Sequence, residues 1–337
     1  MGAAQLLLWN RRRCWWFCLL LLAASAHAQT CQTASDMDGA SRTALETAAQ
    51  HYLNLSAQGD VTALKQNSIA SVAASFGGIE TAVKENHAAL AEAKAVLRPP
   101  FLLTAEGPET LPRAEFLCGV FGASGQTKNS AVFVLPNLPP GKYGVAIFDV
   151  NGAHTSMTLT LILQLAFGDW KLAGFFQRAA QAGGHDAAWF SQRARDFKTK
   201  LQNHNAWLYY REAIFLSVPV DIMSTLTSDK LYDEIQAAQP ADLPVNGQAV
   251  DMTVGVKTYR LTDLFLVASG DDLDVEAKYE AADVSNTART FQENTALIKA
   301  LVGKFPEFRE AFAGVVVRAV EPSGRDYGTL LPMKDVK

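Results

Sequence analysis

The sequence predicts an α+β protein, and three observations support that class. Residues 41–97 have the apolar spacing of helices, in which Leu45 and Tyr52 fall on one face. From Phe101 onward the apolar period changes to two, which is typical of strands. Helices followed by a series of hairpin-linked strands form the element order of the α+β class.

The composition is that of a folded globular protein. The chain has 337 residues, of which 49% are hydrophobic and 19% are charged, and this excludes the collagen-like and disordered classes. Its length predicts about two domains. Phosphate binding requires clustered Lys and Arg, so a net charge of −4 argues against a nucleic-acid partner.

Residues 1–28 have the pattern of a secretory signal. Three arginines at 11–13 precede an apolar run of about 13 residues, and the sequence Ala-His-Ala at 26–28 fits a cleavage site after Ala28. A transmembrane helix requires roughly 20 apolar residues. We therefore predict an exported protein, periplasmic or secreted, with no membrane span after cleavage and a net charge of −7. A retained anchor, twin-arginine export and a lipoprotein at Cys31 are weaker alternatives.

Cleavage would leave two cysteines, Cys31 and Cys118. In an oxidising compartment an isolated pair is a candidate disulfide, and this one would close a loop of roughly 87 residues. The alternative is two separate thiols, one near the terminus and one buried in a sheet.

Local signals predict the elements of the first half. Asp60 is a suitable N-cap for a second helix. A third helix is predicted at 79–97, because Pro99 and Pro100 end it. Strands are then predicted at 101–105, 114–121, 131–135, 143–150, 155–167 and 170–176.

The segment 155–167 is predicted to be the longest strand and to bend around a core. Leu161 and Phe167 belong to a set of alternating apolar positions, which predicts one buried face. Thr158 and Thr160 lie between those positions and predict a more polar opposite face.

Two motifs in this half resemble the NTF2-like superfamily. A helix ends in Ser-Ala-Gln-Gly-Asp at 56–60, and the strands close with Gly-Asp-Trp-Lys-Leu-Ala-Gly-Phe at 168–175. The resemblance covers 41–180 and implies helices on a curved antiparallel sheet, shaped as a cone with an open mouth. Some relatives use an acid or a His–Asp pair in that mouth for proton abstraction or dehydration. The long connection at 98–130 departs from the usual form.

After a Gly-Gly break, residues 186–236 are again predicted to be helical and resemble a single tetratricopeptide hairpin. One such repeat cannot bury a continuous core, so we expect it to pack on a neighbouring domain.

A proline-rich linker is predicted at 237–247, and a second, smaller α+β unit at 248–335. The whole order of segments resembles secreted bacterial proteins that join such a cone to a helical hairpin, which implies no activity. The last unit has predicted strands at 249–258, 262–268, 273–281, 314–321 and 327–332, and predicted helices at 285–302 and 306–313.

No residue is predicted to be catalytic. Asp149 and His154 flank a predicted hairpin turn, where cross-strand neighbours can touch, and we interpret them as a surface pair. His51 and His87 are interpreted as structural. The histidines lack metal-binding spacing and the glycines lack the pattern of a phosphate loop, so neither a metal nor a cofactor is predicted.

The helical hairpin is unusually aromatic, and Trp189, Trp207 and Tyr210 are the candidate binding residues. Rings at helical spacing are typical of a core or a domain interface, and also of a groove for a peptide or partner helix.

We therefore predict an exported, non-enzymatic binding or scaffolding protein. Its ligand, an unknown small molecule or protein, would occupy the cone mouth or the hairpin. The alternative is a small-molecule enzyme, isomerase-like or hydrolase-like, with its active site in the cone.

Overall fold

The computed structural model of the protein describes residues 29–153, 156–245 and 247–337. The predicted signal at 1–28 and His154 of the candidate pair lie outside these ranges. The described residues form nine α-helices and 16 strands, which confirms the predicted α+β class.

Four helices and eight strands make up the first half. The helices are α1 (Gly39–Ala57), α2 (Val61–Gln66), α3 (Ala70–Ala74) and α4 (Gly77–Glu92). The strands are β1 (Gln29–Thr33), β2 (Lys94–Leu97), β3 (Phe101–Ala105), β4 (Leu111–Gly119), β5 (Ser130–Leu138), β6 (Gly141–Asn151), β7 (Ser156–Ala166) and β8 (Asp169–Ala179). Asp60 caps α2 as predicted, because its Oδ1 accepts a hydrogen bond from the Ala63 amide at 2.9 Å.

The second half has the remaining elements of the described chain. Its helices are α5 (Ala187–Thr199), α6 (Asn203–Ser217), α7 (Leu226–Ala238), α8 (Thr287–Lys304) and α9 (Phe308–Ala311). Its strands are β9 (Gln181–Ala182), β10 (His185–Asp186), β11 (Met223–Thr225), β12 (Val250–Val254), β13 (Lys257–Ser269), β14 (Asp272–Glu280), β15 (Gly314–Val320) and β16 (Asp326–Pro332). No helix within the described ranges combines the length and the apolar character needed to cross a membrane.

The first half is built in three layers. The main sheet has the order β1-β3-β6-β7-β8, with β2 also paired to β6, and a smaller sheet has the order β11-β5-β4. Leu161 on one face of the main sheet lies in a hydrophobic cluster with Leu45 of α1. Ile147 on the other face lies in a cluster with Phe133 of the smaller sheet. The main sheet is therefore covered by helices on one side and by strands on the other.

Both faces of β7 are covered. The more polar side of this strand, which was predicted to lie opposite the buried face, is therefore buried as well. Thr158 and Thr160 are 5% and 0% exposed, and the Thr160 hydroxyl donates to the Pro219 carbonyl at 3.4 Å. Phe167, which was predicted to be buried, is fully exposed because it lies in the β7–β8 turn with a φ of 54°. Alternation of apolar and polar residues along a strand does not indicate whether another part of the chain covers the more polar side.

Five strands lie where none was predicted, namely β1, β2, β9, β10 and β11, and the first two belong to the main sheet. Residues 94–97, predicted as the end of the third helix, form β2 and pair with β6, whereas α4 ends at Glu92. Before α1, β1 pairs antiparallel with β3. Both segments form strands against partners that are distant in sequence, so local periodicity does not indicate them.

The predicted disulfide is present. Cys31 of β1 is bonded to Cys118 of β4, with Cα atoms 5.1 Å apart and a sequence separation of 87. Cys118 is fully buried. The bond joins the edge strand of the main sheet to the smaller sheet, so it links two of the three layers covalently.

One hydrophobic core serves the second half. Five of the second half's strands pair in the order β12-β13-β14-β15-β16, and α8 and α9 form the connection between the parallel neighbours β14 and β15. Phe190 of α5 and Tyr209 of α6 lie in the same cluster as Val275 of β14 and Leu297 of α8. The helices within 186–236 therefore pack on the C-terminal sheet.

The close approach of α1 to the main sheet leaves no room for a methyl group at Gly144 of β6. A Cβ there would lie 2.1 Å from Leu45 Cδ1. We expect Gly144→Ala to lower the free energy of unfolding by about 2 kcal/mol, because overpacking displaces the helix or the strand.

Urea denaturation tests this expectation, with Gly303→Ala in α8 as the matched control. Nothing lies within 4 Å of a Cβ at Gly303, so alanine at this helical position should raise the free energy of unfolding by about 0.5 kcal/mol. Equal effects of the two substitutions would contradict the packing described for Gly144.

Candidate functional site

A cleft of about 1100 Å³ opens between α4 and the adjoining ends of β7 and β8, and we call it the α4 cleft. Ile79, Met157 and Phe175 contribute apolar walls, and Asn86 and Gln177 contribute amide groups. Its volume slightly exceeds the usual range of small-molecule sites, roughly 300–1,000 Å³.

The two amides of the α4 cleft bond to each other, and this determines the orientation of Gln177. Asn86 Nδ2 donates to the Ala82 carbonyl at 2.9 Å and to Gln177 Oε1 at 3.0 Å. The Gln177 Nε2 group is buried and has no hydrogen-bond partner among the described residues. A buried donor without an acceptor costs about 1–3 kcal/mol. The Gln177 nitrogen at the wall of the cleft therefore has donors free for an acceptor atom of a ligand that reaches it.

Three charged side chains also line the α4 cleft. Glu85 and Asp271 are exposed. Arg178 donates to the Val218 carbonyl at 3.1 Å and to Asp221 at 2.7 Å, so its guanidinium group is already engaged. The Gln177 amide nitrogen is thus distinguished from these groups, because it is buried and has no partner among the described residues.

The acid and histidines considered from the sequence have other environments. Asp149 accepts hydrogen bonds from Arg98 at distances from 2.6 Å to 3.1 Å, and its candidate partner His154 lies outside the described residues. His51 is exposed on α1. His87 is bonded through Nδ1 to a carbonyl of its own helix at 3.0 Å.

The three predicted binding residues do not share one surface. Trp189 is half-buried and stacks on His185 with ring centroids 3.6 Å apart. Trp207 and Tyr210 are 2% and 1% exposed, and both belong to the core of the second half. Burial raises the pKa of the Tyr210 hydroxyl. Of the three, Trp207 also lines a groove between helices.

This groove lies between α6 and α7, above β13, and we call it the α6–α7 groove. It consists of two adjoining cavities of about 790 Å³ and 440 Å³, both lined by Arg211, Ile214 and Tyr232. Phe215 and Tyr232 are 48% and 57% exposed. Trp207 lines the smaller cavity, and its buried indole N–H has no partner in the part of the chain that the structure describes.

Glu212 lies in the larger cavity. Helical spacing places Leu208, Glu212 and Phe215 on one face of α6. Burial raises the pKa of Glu212 to about 7, although the charge of Arg211 acts in the opposite direction. The sequence analysis did not select Glu212; the available signal was a carboxyl group next to the apolar segment 213–216.

Arg211 separates the two cavities of the groove. Its guanidinium group lies 4.6 Å from the centre of the Trp207 ring, and Nη1 donates to the Leu264 carbonyl at 2.7 Å. The carboxylate of Asp263 is 3.9 Å away. Burial lowers the pKa of Arg211. Arg211 is therefore held by a carbonyl and a ring rather than by a close ion pair.

The fold and the two sites define a disulfide-linked α+β protein with two candidate ligand sites, the α4 cleft and the α6–α7 groove. Among the described residues, no three His, Cys, Asp or Glu side chains form a group that could hold a metal ion. No protein-family model matches the chain, and no curated protein or solved structure matches it either. The function is therefore inferred from the two sites themselves.

Proposed function

We propose that this chain is an exported binding protein and that its α4 cleft holds a small, uncharged molecule with an acceptor oxygen. The observation that carries the proposal is the buried Gln177 amide, whose nitrogen lacks an acceptor among the described residues. A carbonyl oxygen of the ligand would accept from Gln177 and extend the Asn86–Gln177 pair. Met157 and Phe175 would contact the apolar part of the ligand.

An uncharged ligand suits this cleft better than an ion. Transfer of a charged group out of water is costly unless a counter-ion receives it. Arg178 is bonded to Asp221, and Glu85 is exposed at the surface. A neutral carbonyl compound, in contrast, needs only the donors that the Gln177 amide presents, and a site of this kind discriminates against analogues that lack the acceptor.

The NTF2-like resemblance agrees with this placement, because it implies a ligand site between the helices and the sheet. The rival proposal is an isomerase-like or hydrolase-like enzyme in the same place. Such an enzyme would need acid or base groups within reach of the substrate, whereas the central polar group here is an amide, which binds but does not titrate. Turnover of a bound ligand would favour the rival.

Export is supported by the signal-like residues 1–28 and by the disulfide. Disulfides form and persist in oxidising compartments, and the Cys31–Cys118 bond joins two layers of the first half. N-terminal sequencing of the protein recovered from periplasm and medium checks this part of the proposal. We expect the mature chain to begin at Gln29.

Benzamide is a suitable probe for the α4 cleft, because it joins a neutral carbonyl to an aromatic ring. In an NMR titration we expect millimolar binding to the wild type. Gln177→Leu should weaken that binding at least tenfold, since about 1.4 kcal/mol corresponds to one hydrogen bond to the ligand. Benzoate, which has the same shape and a negative charge, should bind more weakly than benzamide.

Gln181→Leu is the matched control. Gln181 also lines the α4 cleft, but it is exposed, so its loss should leave the affinity for benzamide unchanged. Equal affinities of the wild type and Gln177→Leu, or stronger binding of benzoate, would refute the proposed site.

A further inference from the structure

The carboxyl group of Glu212 faces a largely apolar cavity and has no ion-pair partner among the described residues. Leu208 and Phe215 of α6, Tyr232 of α7 and Phe265 of β13 line the same cavity. Within the described ranges, burial and the charge of a neighbouring arginine are the influences on this carboxyl group, and no hydrogen bond engages it. A buried carboxylate without a counter-ion is costly, so the group either holds a proton or accepts a cation.

The other charged groups that face this cavity are already engaged. Arg211 of α6 is held by a carbonyl and an indole ring. Arg178 of β8 pairs with Asp221, which precedes β11, at 2.7 Å. Asp229 of α7 accepts a hydrogen bond from a glutamine amide at 2.6 Å. Counting Glu212, three carboxyl groups face two guanidinium groups, so the cavity has an excess of acid.

We infer that the α6–α7 groove binds a small organic cation, a primary or secondary amine with an apolar tail, and that Glu212 is its counter-ion. The cavity of about 790 Å³ has the size of known small-molecule sites. The ammonium group would pair with Glu212, and the exposed rings of Phe215 and Tyr232 would cover the tail. Aromatic faces also attract ammonium groups directly.

This site is independent of the α4 cleft. Arg178 lines both cavities, but it is paired with Asp221 and its guanidinium group lies 5.0 Å from the centre of the Phe215 ring, so no ligand contact is assigned to it in either site. The function proposed for the α4 cleft can therefore fail while the cation site stands, and the reverse is also true.

Binding of the amine is coupled to ionisation of Glu212. Burial places the pKa of Glu212 at about 7 in the free protein, and only the ionised carboxylate pairs with an ammonium group. An alkylamine, like the lysine side chain, keeps its proton below about pH 10. The apparent Kd equals the intrinsic Kd divided by the competent fraction, so we expect about tenfold tighter binding at pH 8 than at pH 6.

Calorimetric titration of the purified protein with hexylammonium chloride tests the inference. We expect binding at pH 8 and a weaker affinity at pH 6. Hexanol has the same tail without the charge and should bind at least tenfold more weakly than hexylammonium at pH 8. Absence of hexylammonium binding, or equal binding of hexanol, would overturn the inference even if no variant were made.

Variants then assign the effect to one side chain. Glu212→Gln should weaken hexylammonium binding about tenfold at pH 8 and abolish the difference between pH 6 and pH 8. Glu85→Gln removes an exposed carboxylate from the α4 cleft and should change neither quantity. Retention of the pH dependence by Glu212→Gln would show that another group is responsible and would refute the role of Glu212.

Discussion

Loss of the Cys31–Cys118 disulfide is expected to lower the free energy of unfolding by about 4 kcal/mol. The bond has a sequence separation of 87, and the chain-entropy model assigns between about 3 and 4.7 kcal/mol to loops of 15 to 100 residues. Cys31→Ala combined with Cys118→Ala removes the bond without leaving a buried polar atom at position 118. Guanidinium denaturation of the oxidised wild type and the double variant measures the difference.

Reduction provides the control for this prediction. Dithiothreitol should bring the stability of the wild type close to that of the double variant and leave the double variant unchanged. Hydrogen exchange should also show that the β1 amides open more readily in the double variant, because β1 is an edge strand that the bond ties to β4. A difference below about 1 kcal/mol would contradict a stabilising role for the bond.

Replacement of Asn294 by alanine is expected to cost about 3 to 4 kcal/mol of stability. Asn294 lies on α8 with no exposed surface. Its Oδ1 accepts from the Tyr279 hydroxyl at 2.9 Å, and its Nδ2 lies 3.1 Å from the Val317 carbonyl and from Thr329 Oγ1. Alanine would remove the side-chain partner of buried polar groups on three strands and would add a cavity.

Two variants separate the hydrogen bonds from general effects of substitution. Tyr279→Phe removes one donor of this network and should cost about 1 kcal/mol. Asn54→Ala acts on an exposed asparagine of α1 and should change the free energy of unfolding by less than about 0.5 kcal/mol. Urea denaturation checks all three, and similar values for Asn294→Ala and Asn54→Ala would rule out the network as a source of stability.

Several elements follow from short-range chemistry. The strand predicted at 101–105 is β3, with the same limits, because an apolar segment after two prolines has few alternatives. Asp60 begins α2 because its carboxylate caps a free amide close to it in sequence. The cysteine pair was predicted because cleavage of the signal would leave Cys31 and Cys118 as the remaining thiols.

Short-range signals in the sequence were less successful at identifying the candidate sites. Trp207 was selected from the sequence because aromatic rings are conspicuous, and it does line the α6–α7 groove. Gln177 and Glu212 are ordinary residues in the sequence, and their properties depend on what surrounds them. Packing of α4 beside β8 buries the Gln177 amide nitrogen, and packing of α6 with α7 and β13 partly buries the Glu212 carboxyl group.

By itself, the sequence determined the α+β class, most of the order of helices and strands, and the two cysteines available for a bond. Tertiary structure alone decided that Thr160 is buried against Pro219, that residues 94–97 pair as a strand, and that Glu212 has no counter-ion among the described residues. Periodicity and capping act within a few residues, so a sequence displays them directly. Burial and hydrogen-bond satisfaction depend on residues brought together from distant positions, and these two properties create the sites proposed here.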